Sequence, residues 1–174
     1  MSTTNPINSK ITSKISILID YAHEPESMKL LLGTLSTWRE NNFFDYVIHI
    51  VSCDGAGRDL WKKPILGKIS HQNADFTVAT LDNYDERDNP EEILDLITRD
   101  FDKKQHLIQY EKTENRREAF EIAIKKAIQI SNFGQKKVII CSTGVGCENG
   151  LTHPKGKIDW NEKEIWTEIF NQFG

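Results

Sequence analysis

The apolar residues of this chain change their spacing along its length. Residues 15–20 (ISILID) and 46–53 (YVIHIVSC) are short runs rich in β-branched side chains, which reads as strands. Residues 76–81 (FTVATL), 107–110 (LIQY) and 137–142 (KVIICS) read the same way. Between them, apolar residues recur every three or four positions, as on one face of a helix. Met28, Leu31, Leu32, Leu35 and Trp38 form one such face, and Ile93, Leu94, Ile97 and Phe101 another. Ala119, Phe120, Ala123, Ile124, Ala127 and Ile128 form a third, and Ile165, Trp166, Ile169 and Phe170 the last. A further helix is expected around residues 63–72. Pro25 and Pro90 suit first helical turns, where a missing N–H costs nothing, and Gly134 suits a helix stop.

Strand and helix alternate about five times, which predicts a doubly wound α/β domain with right-handed crossovers. The expected architecture is Rossmann-like: three layers, with a mostly parallel sheet of about six strands flanked by helices. Residues 1–13 are polar and predict a flexible tail ahead of a single domain over residues 14–174. The 38% apolar content is enough for one packed core of this kind. A net charge of −4 gives no electrostatic footprint for nucleic acid, so no nucleic-acid partner is expected. No apolar run is long enough to span a bilayer, so a cytoplasmic protein without a membrane partner is expected. Cys53, Cys141 and Cys147 are odd in number and form no CxxC pair, which favours free thiols over zinc.

In such sheets ligands bind beyond the carboxyl ends of the strands, so the turns there are the candidates for function. The first turn holds Asp20, Tyr21, Ala22 and His23. Asp20 can accept hydrogen bonds from a ribose or orient a neighbour, and His23 can donate or stack; an ordinary capping turn is the alternative. The second holds Gly55, Gly57 and Arg58, with glycines for close backbone approach and a guanidinium suited to a carboxylate. It lacks the third glycine of a dinucleotide fingerprint. The Lys62-Lys63-Pro64 segment after it reads as a solvated helix start. The third turn gathers Asp82, Asp85, Glu86 and Asp88 around Arg87, and the expectation is a solvated loop with helix-capping acids. The fourth runs from Ser142 through Gly144, Gly146 and Cys147 to Glu148, where a glycine-rich backbone can wrap a ligand and Glu148 can bind an ammonium. No histidine neighbours Cys147, so thiol catalysis is not expected, and His49, His71 and His106 are taken as structural.

Read together, these turns resemble the C-terminal domain of the Mur ligases, closest to the MurE-like UDP-N-acetylmuramoyl-tripeptide synthetases. The family motif DYAH-x-P-[DE]-S is matched by Asp20-Tyr21-Ala22-His23-Glu24-Pro25-Glu26-Ser27. Its G-x-GRD-x-x-KRP-x-x-G segment is matched from Gly55 to Gly67, with Lys63 in place of arginine. Asp82-Asn83, Asp88-Asn89-Pro90 and Trp160-Asn161-Glu162-Lys163-Glu164 follow in the family's order. The resemblance implies an amino-acid-presenting domain of an ATP-dependent ligase in peptidoglycan synthesis. Asp20 and His23 would face the nucleotide and the domain hinge, and Arg58, Asn83, Gly144 and Glu148 would contact the added amino acid. ATP and Mg2+ are implied for the complete ligase. Its central and N-terminal domains, in cis or in trans, and a UDP-muramoyl peptide are the implied partners.

Two departures bear on that reading. Diaminopimelate-adding members carry DNPR, whereas this chain has Asp82-Asn83-Tyr84-Asp85, so the added amino acid is left open. The family's GKGHE loop appears as Gly144-Val145-Gly146-Cys147-Glu148, without its lysine and histidine. No GxxxxGK[ST] phosphate loop occurs in these residues, so this chain is not expected to hold ATP or to be catalytic alone. The alternatives are a non-catalytic amino-acid or nucleotide-binding module, and a small enzyme using the glycine turn for phosphate.

Overall fold

The computed structural model describes residues 14–55, 57–101 and 110–173. The expected tail, His106 and most of the expected strand at 107–110 lie outside the described residues. The elements run β1 (Ile15–Ile19), α1 (Pro25–Glu40), β2 (Tyr46–Cys53), α2 (Lys63–Asn73), β3 (Phe76–Leu81), α3 (Pro90–Thr98), β4 (Tyr110–Lys112), α4 (Arg116–Gly134), β5 (Val138–Ser142), β6 (Gly150–His153), β7 (Gly156–Asp159) and α5 (Glu162–Phe173).

Five strands form one sheet in the order β1-β5-β2-β3-β4, and all four pairings are parallel. The remaining two, β6 and β7, form a separate antiparallel hairpin. The doubly wound architecture is therefore the expected one, while the strands divide as five in the sheet and two outside it. Strand alternation builds a core on each face. Ile48, Ile50, Phe76, Val78, Val138 and Ile140 pack against Phe120, Ala123 and Ile124 of α4 and Trp166 and Ile169 of α5. Val47, Val51, Ala79, Leu81, Ile139 and Cys141 pack against α1, α2 and α3 through Met28, Leu32, Leu66 and Ile97.

Local signals account for the starts of α1, α3 and α4. Pro25 and Pro90 open α1 and α3, and Asn89 caps α3 by accepting from the Glu91 amide at 3.2 Å. Asn115 caps α4 through the Arg117 and Glu118 amides. The stop of α4 differs from expectation. Gly134 is its last helical residue, and it is Gln135 that turns left-handed, at φ 54°. Trp38 also departs from its helix face: it sits exposed at the end of α1 beside Phe43, with ring centroids 6.5 Å apart.

Candidate functional site

Parallel strands end together, so the turns after β1, β2, β3 and β5 meet at one edge of the sheet. A cleft of about 90 Å³ opens there, lined by Tyr21, His23, Asp54, Lys62, Asn83, Gly144 and Glu148 together with Ser52, Cys53, Leu66 and Asp82. A second, more open cleft of about 470 Å³ adjoins it and includes Asp20, Cys147, Asn149, Asn161 and Lys163. Tyr21 and Glu148 line both.

The floor is a buried ionic network that the sequence reading missed. The Arg116 guanidinium, with 2% of its side chain exposed, donates to Ser52 Oγ (2.7 Å), Asp82 Oδ1 (2.8 Å), the Thr143 carbonyl (2.9 Å) and, through Nε, Glu162 Oε1 (2.6 Å). One side chain thus ties the ends of β2, β3 and β5 to the start of α5. Burial raises the pKa of Asp82 to about 6, against the opposing pull of Arg116. Burial likewise raises Glu162. The expectation that the third-turn acids are solvated caps is therefore corrected for Asp82, which is 7% exposed and faces a cation. The other acids do build the turn. Asp88 Oδ2 accepts from the Asp85 amide, and Asp85 Oδ1 accepts from the Arg87 amide. Arg116 left only a weak signal in the sequence: a cation in the first turn of a helix opposes the helix dipole, and Arg117 beside it gives the same signal. Glu162 pairs with Arg116 from the Trp160-Asn161-Glu162 segment.

The Lys62-Lys63-Pro64 segment also corrects its expectation. Lys63 is 1% exposed, and its ammonium donates to the Asp54 carbonyl, pinning the glycine turn from beneath. Lys62 bridges Glu24 at 2.5 Å and Asp59 at 3.1 Å, linking the first two turns. Burial works against its charge, but the hydrogen bonds to both carboxylates outweigh it and raise its pKa. The glycine turn is closed on the protein itself. The Gly55 amide donates to the Asn83 carbonyl (2.6 Å), and the Arg58 amide to the Gly55 carbonyl (3.1 Å). Those two amides are spent on the protein itself.

The six candidate residues fall as follows. Asn83 bridges two elements: its Nδ2 donates to Asp54 Oδ1 (3.1 Å) and its Oδ1 accepts from the Thr152 amide of β6 (2.9 Å). Gly144, at φ +103°, leaves space a side chain cannot take, since a Cβ there would lie 2.4 Å from Ser52 Oγ and 2.6 Å from Asp82 Oδ2. Glu148 Oε1 accepts the Tyr21 hydroxyl at 2.8 Å. His23 reaches the cleft with its Nδ1 2.8 Å from the Tyr21 carbonyl. Asp20 lies in the second cleft, and its Oδ1 accepts from the Ala22 amide (2.8 Å), so it shapes the turn. Arg58 is not among the residues that line the cleft, but lies beside Asp54, which is. Its side chain is 66% exposed, 3.9 Å from Asp54 Oδ2. Arg87 is held by Asp85 through Nε (3.0 Å) and a terminal nitrogen (2.5 Å), which hold the Asp85 carboxyl down at about 2.

The remaining candidates are structural. His49 is buried between Ser70 Oγ (2.7 Å) and Thr143 Oγ1 (3.2 Å), and burial lowers its pKa to about 3, so it is neutral. His71 stacks on Phe101 at 4.4 Å. Burial raises Cys53 to about 12 and Cys141 higher still, which removes both as nucleophiles. Cys147 is exposed. Among the described residues no helix is long and apolar enough to cross a membrane.

The strand-end turns of a doubly wound parallel sheet thus frame a cleft, as in α/β domains of the Rossmann-like class. The chain belongs to the Mur ligase family, matching the "Mur ligase, glutamate ligase domain" over residues 7–143. It is 31% identical, over 90% of its length, to "UDP-N-acetylmuramoyl-L-alanyl-D-glutamate--2,6-diaminopimelate ligase 1" of Clostridium acetobutylicum, of which it covers 29%. The corresponding diaminopimelate ligase of Oceanobacillus iheyensis is 30% identical over 91% of the chain, with 29% of that protein covered. The chain therefore spans under a third of the length of these relatives. A solved diaminopimelate ligase shares the fold with a TM-score of 0.73 and 21% identity, over 91% of this chain and 30% of that one. A Mycobacterium tuberculosis folylpolyglutamate synthase complexed with ADP and AMPPCP shares it with a TM-score of 0.54 and 21% identity, over 74% of this chain and 26% of that one.

Proposed function

We propose that this chain is the amino-acid-presenting C-terminal domain of a cytoplasmic, ATP-dependent ligase that joins an amino acid to a UDP-N-acetylmuramoyl peptide. The observation that carries this reading is the meeting of four strand-end turns in one cleft that offers a carboxylate and an amide, with the Arg58 guanidinium 3.9 Å from Asp54 of its lining. An amino acid is a zwitterion. Arg58 suits its carboxylate through a planar fork, and Glu148 suits an ammonium. Asn83, held between Asp54 and Thr152, has the rigidity to fix the ligand's orientation. Gly144 lets the backbone pass close to Ser52 and Asp82 at the wall of the cleft.

No phosphate loop occurs in the sequence, and the Gly55 and Arg58 amides of the glycine turn are already bonded, so the triphosphate is assigned to other domains. Central and N-terminal domains, in cis or in trans, would hold ATP, Mg2+ and the UDP-muramoyl peptide, and the phosphoryl chemistry belongs to them. The role left to this domain is to orient the incoming amine, a proximity contribution. A second reading, a binding module without catalysis, is favoured by the fourth turn, where Val145 and Cys147 stand in place of the family's lysine and histidine.

The test is to mix the chain with a Mur-type polypeptide that ends before the DYAH motif. ATP-dependent joining of an amino acid by the mixture, and by neither part alone, is the expected result. No joining and no association favours the binding module. In the active mixture Arg58→Ala is expected to raise the apparent KM for the amino acid about ten-fold or more, the scale of a lost charge-assisted hydrogen bond, without unfolding the domain. An unchanged KM would remove Arg58 from the site.

A further inference from the structure

Tyr21 is constrained on three sides although its residue is 48% exposed. Its hydroxyl donates to Glu148 Oε1 at 2.8 Å. The His23 ring meets it edge-on, with centroids 4.8 Å apart. On the third side Gly146, at φ +58°, comes so near that a Cβ there would lie 2.8 Å from the Tyr21 Cβ and 2.9 Å from its Cδ2. Burial of apolar area does not explain an exposed ring held this way. Its position does: Tyr21 and Glu148 are the residues shared by the two clefts, and so form the wall between them.

We propose that Tyr21 is a positioning residue that presents the Glu148 carboxylate to the ammonium group of the incoming amino acid. The inference rests on the amino-acid-presenting reading and adds a residue to it. Glu148 follows two glycines and is fixed locally by one turn bond, from its amide to the Val145 carbonyl at 3.2 Å. Its side chain would otherwise sample several rotamers, and a ligand would bear the entropy of fixing one. The Tyr21 hydroxyl fixes it beforehand. A carboxylate offers about four lone-pair sites, so one phenolic donor leaves room for an ammonium. The bond is charge-assisted, and so stronger than one between neutral groups. The negative charge of Glu148 also raises the Tyr21 pKa, behind the larger effect of the hydrogen bond itself.

Calorimetry on the full chain, with L-lysine and diaminopimelate as probes, tests the idea in Tyr21→Phe, Glu148→Gln and the double variant. Tyr21→Phe is expected to weaken binding about ten-fold, the order of one charge-assisted hydrogen bond. The double variant is expected to bind no worse than Glu148→Gln alone, because the hydroxyl acts only through that carboxylate. A near-ultraviolet tyrosine difference band should appear on ligand binding to the wild type and vanish in both single variants. Binding lost on Glu148→Gln but unchanged in Tyr21→Phe, or additive losses without the band, would overturn the role of Tyr21 and leave the site standing. If the wild type binds neither probe and shows no band, the amino-acid reading fails and the role of Tyr21 with it.

Discussion

Without the Arg116 guanidinium, Asp82 and Glu162 would be left as two buried carboxylates lacking their shared cation. Their side chains are 7% and 0% exposed, and the guanidinium is the cation they share. Arg116→Met keeps the bulk of the side chain and removes the charge. It is expected to lower stability by about 3–5 kcal/mol, the cost of an orphaned buried charge, as a shift in urea midpoint. A change below about 1 kcal/mol would mean that the network is not buried in solution. Replacing a whole ionic cluster by apolar residues is often neutral, so the network is better explained by geometry than by stability. It fixes Ser52, Asp82 and Thr143 relative to one another, and with them the ends of three strands.

Helices α2 and α3 cross at Gly67. A Cβ on that residue would lie 1.8 Å from the Ile97 carbonyl oxygen, which is backbone and cannot swing aside. Gly67→Ala is therefore expected to push the helices apart and cost about 1–3 kcal/mol or more by chemical denaturation. Gly33, in the middle of α1, supplies the control, since a Cβ there meets nothing within 4 Å. Gly33→Ala should stabilise the chain by up to about 1 kcal/mol through helix propensity alone. Equal effects at the two positions would contradict the packing of α2 on α3. The final glycine of the GAGRDLWKKPILG segment thus has a reason in the helix crossing rather than in the cleft.

At the scale of the molecule, buried groups oppose each other in pH: Asp82, with Glu162 raised in the same sense, against His49. Burial raises Asp82 to about 6, so the folded state takes up its proton more readily than the unfolded state. Its contribution falls as pH rises from about 4 to about 6. Burial lowers His49 to about 3, so there the unfolded state binds the proton more readily. Its contribution is lost as pH falls below about 6.5. The two slopes cross the same window with opposite sign and flatten the wild-type curve. Asp82→Asn removes one of them. The variant should lose stability more steeply than the wild type between about pH 6 and pH 4, in urea midpoints taken at a series of pH values. Parallel curves would place Asp82 in water.

The sequence by itself marked the five helices and strands β1, β2, β3 and β5, because strand and helix periods are local and Pro25, Asn89, Pro90 and Asn115 act within a few residues of themselves. It also located the turns that carry the candidate site, since parallel strands bring their carboxyl ends to one edge. The pairing of Arg116 with Asp82 and Glu162 spans 34 and 46 residues, and no period encodes such a meeting. The burial of Lys63 beneath the glycine turn and the contact of Tyr21 with Glu148, 127 residues apart, are of the same kind. The two strands beyond β5 are only four residues each, too short for alternation to mark them. Tertiary structure decided these features because a charge is buried, or a hydroxyl given its acceptor, only by what the rest of the chain brings beside it.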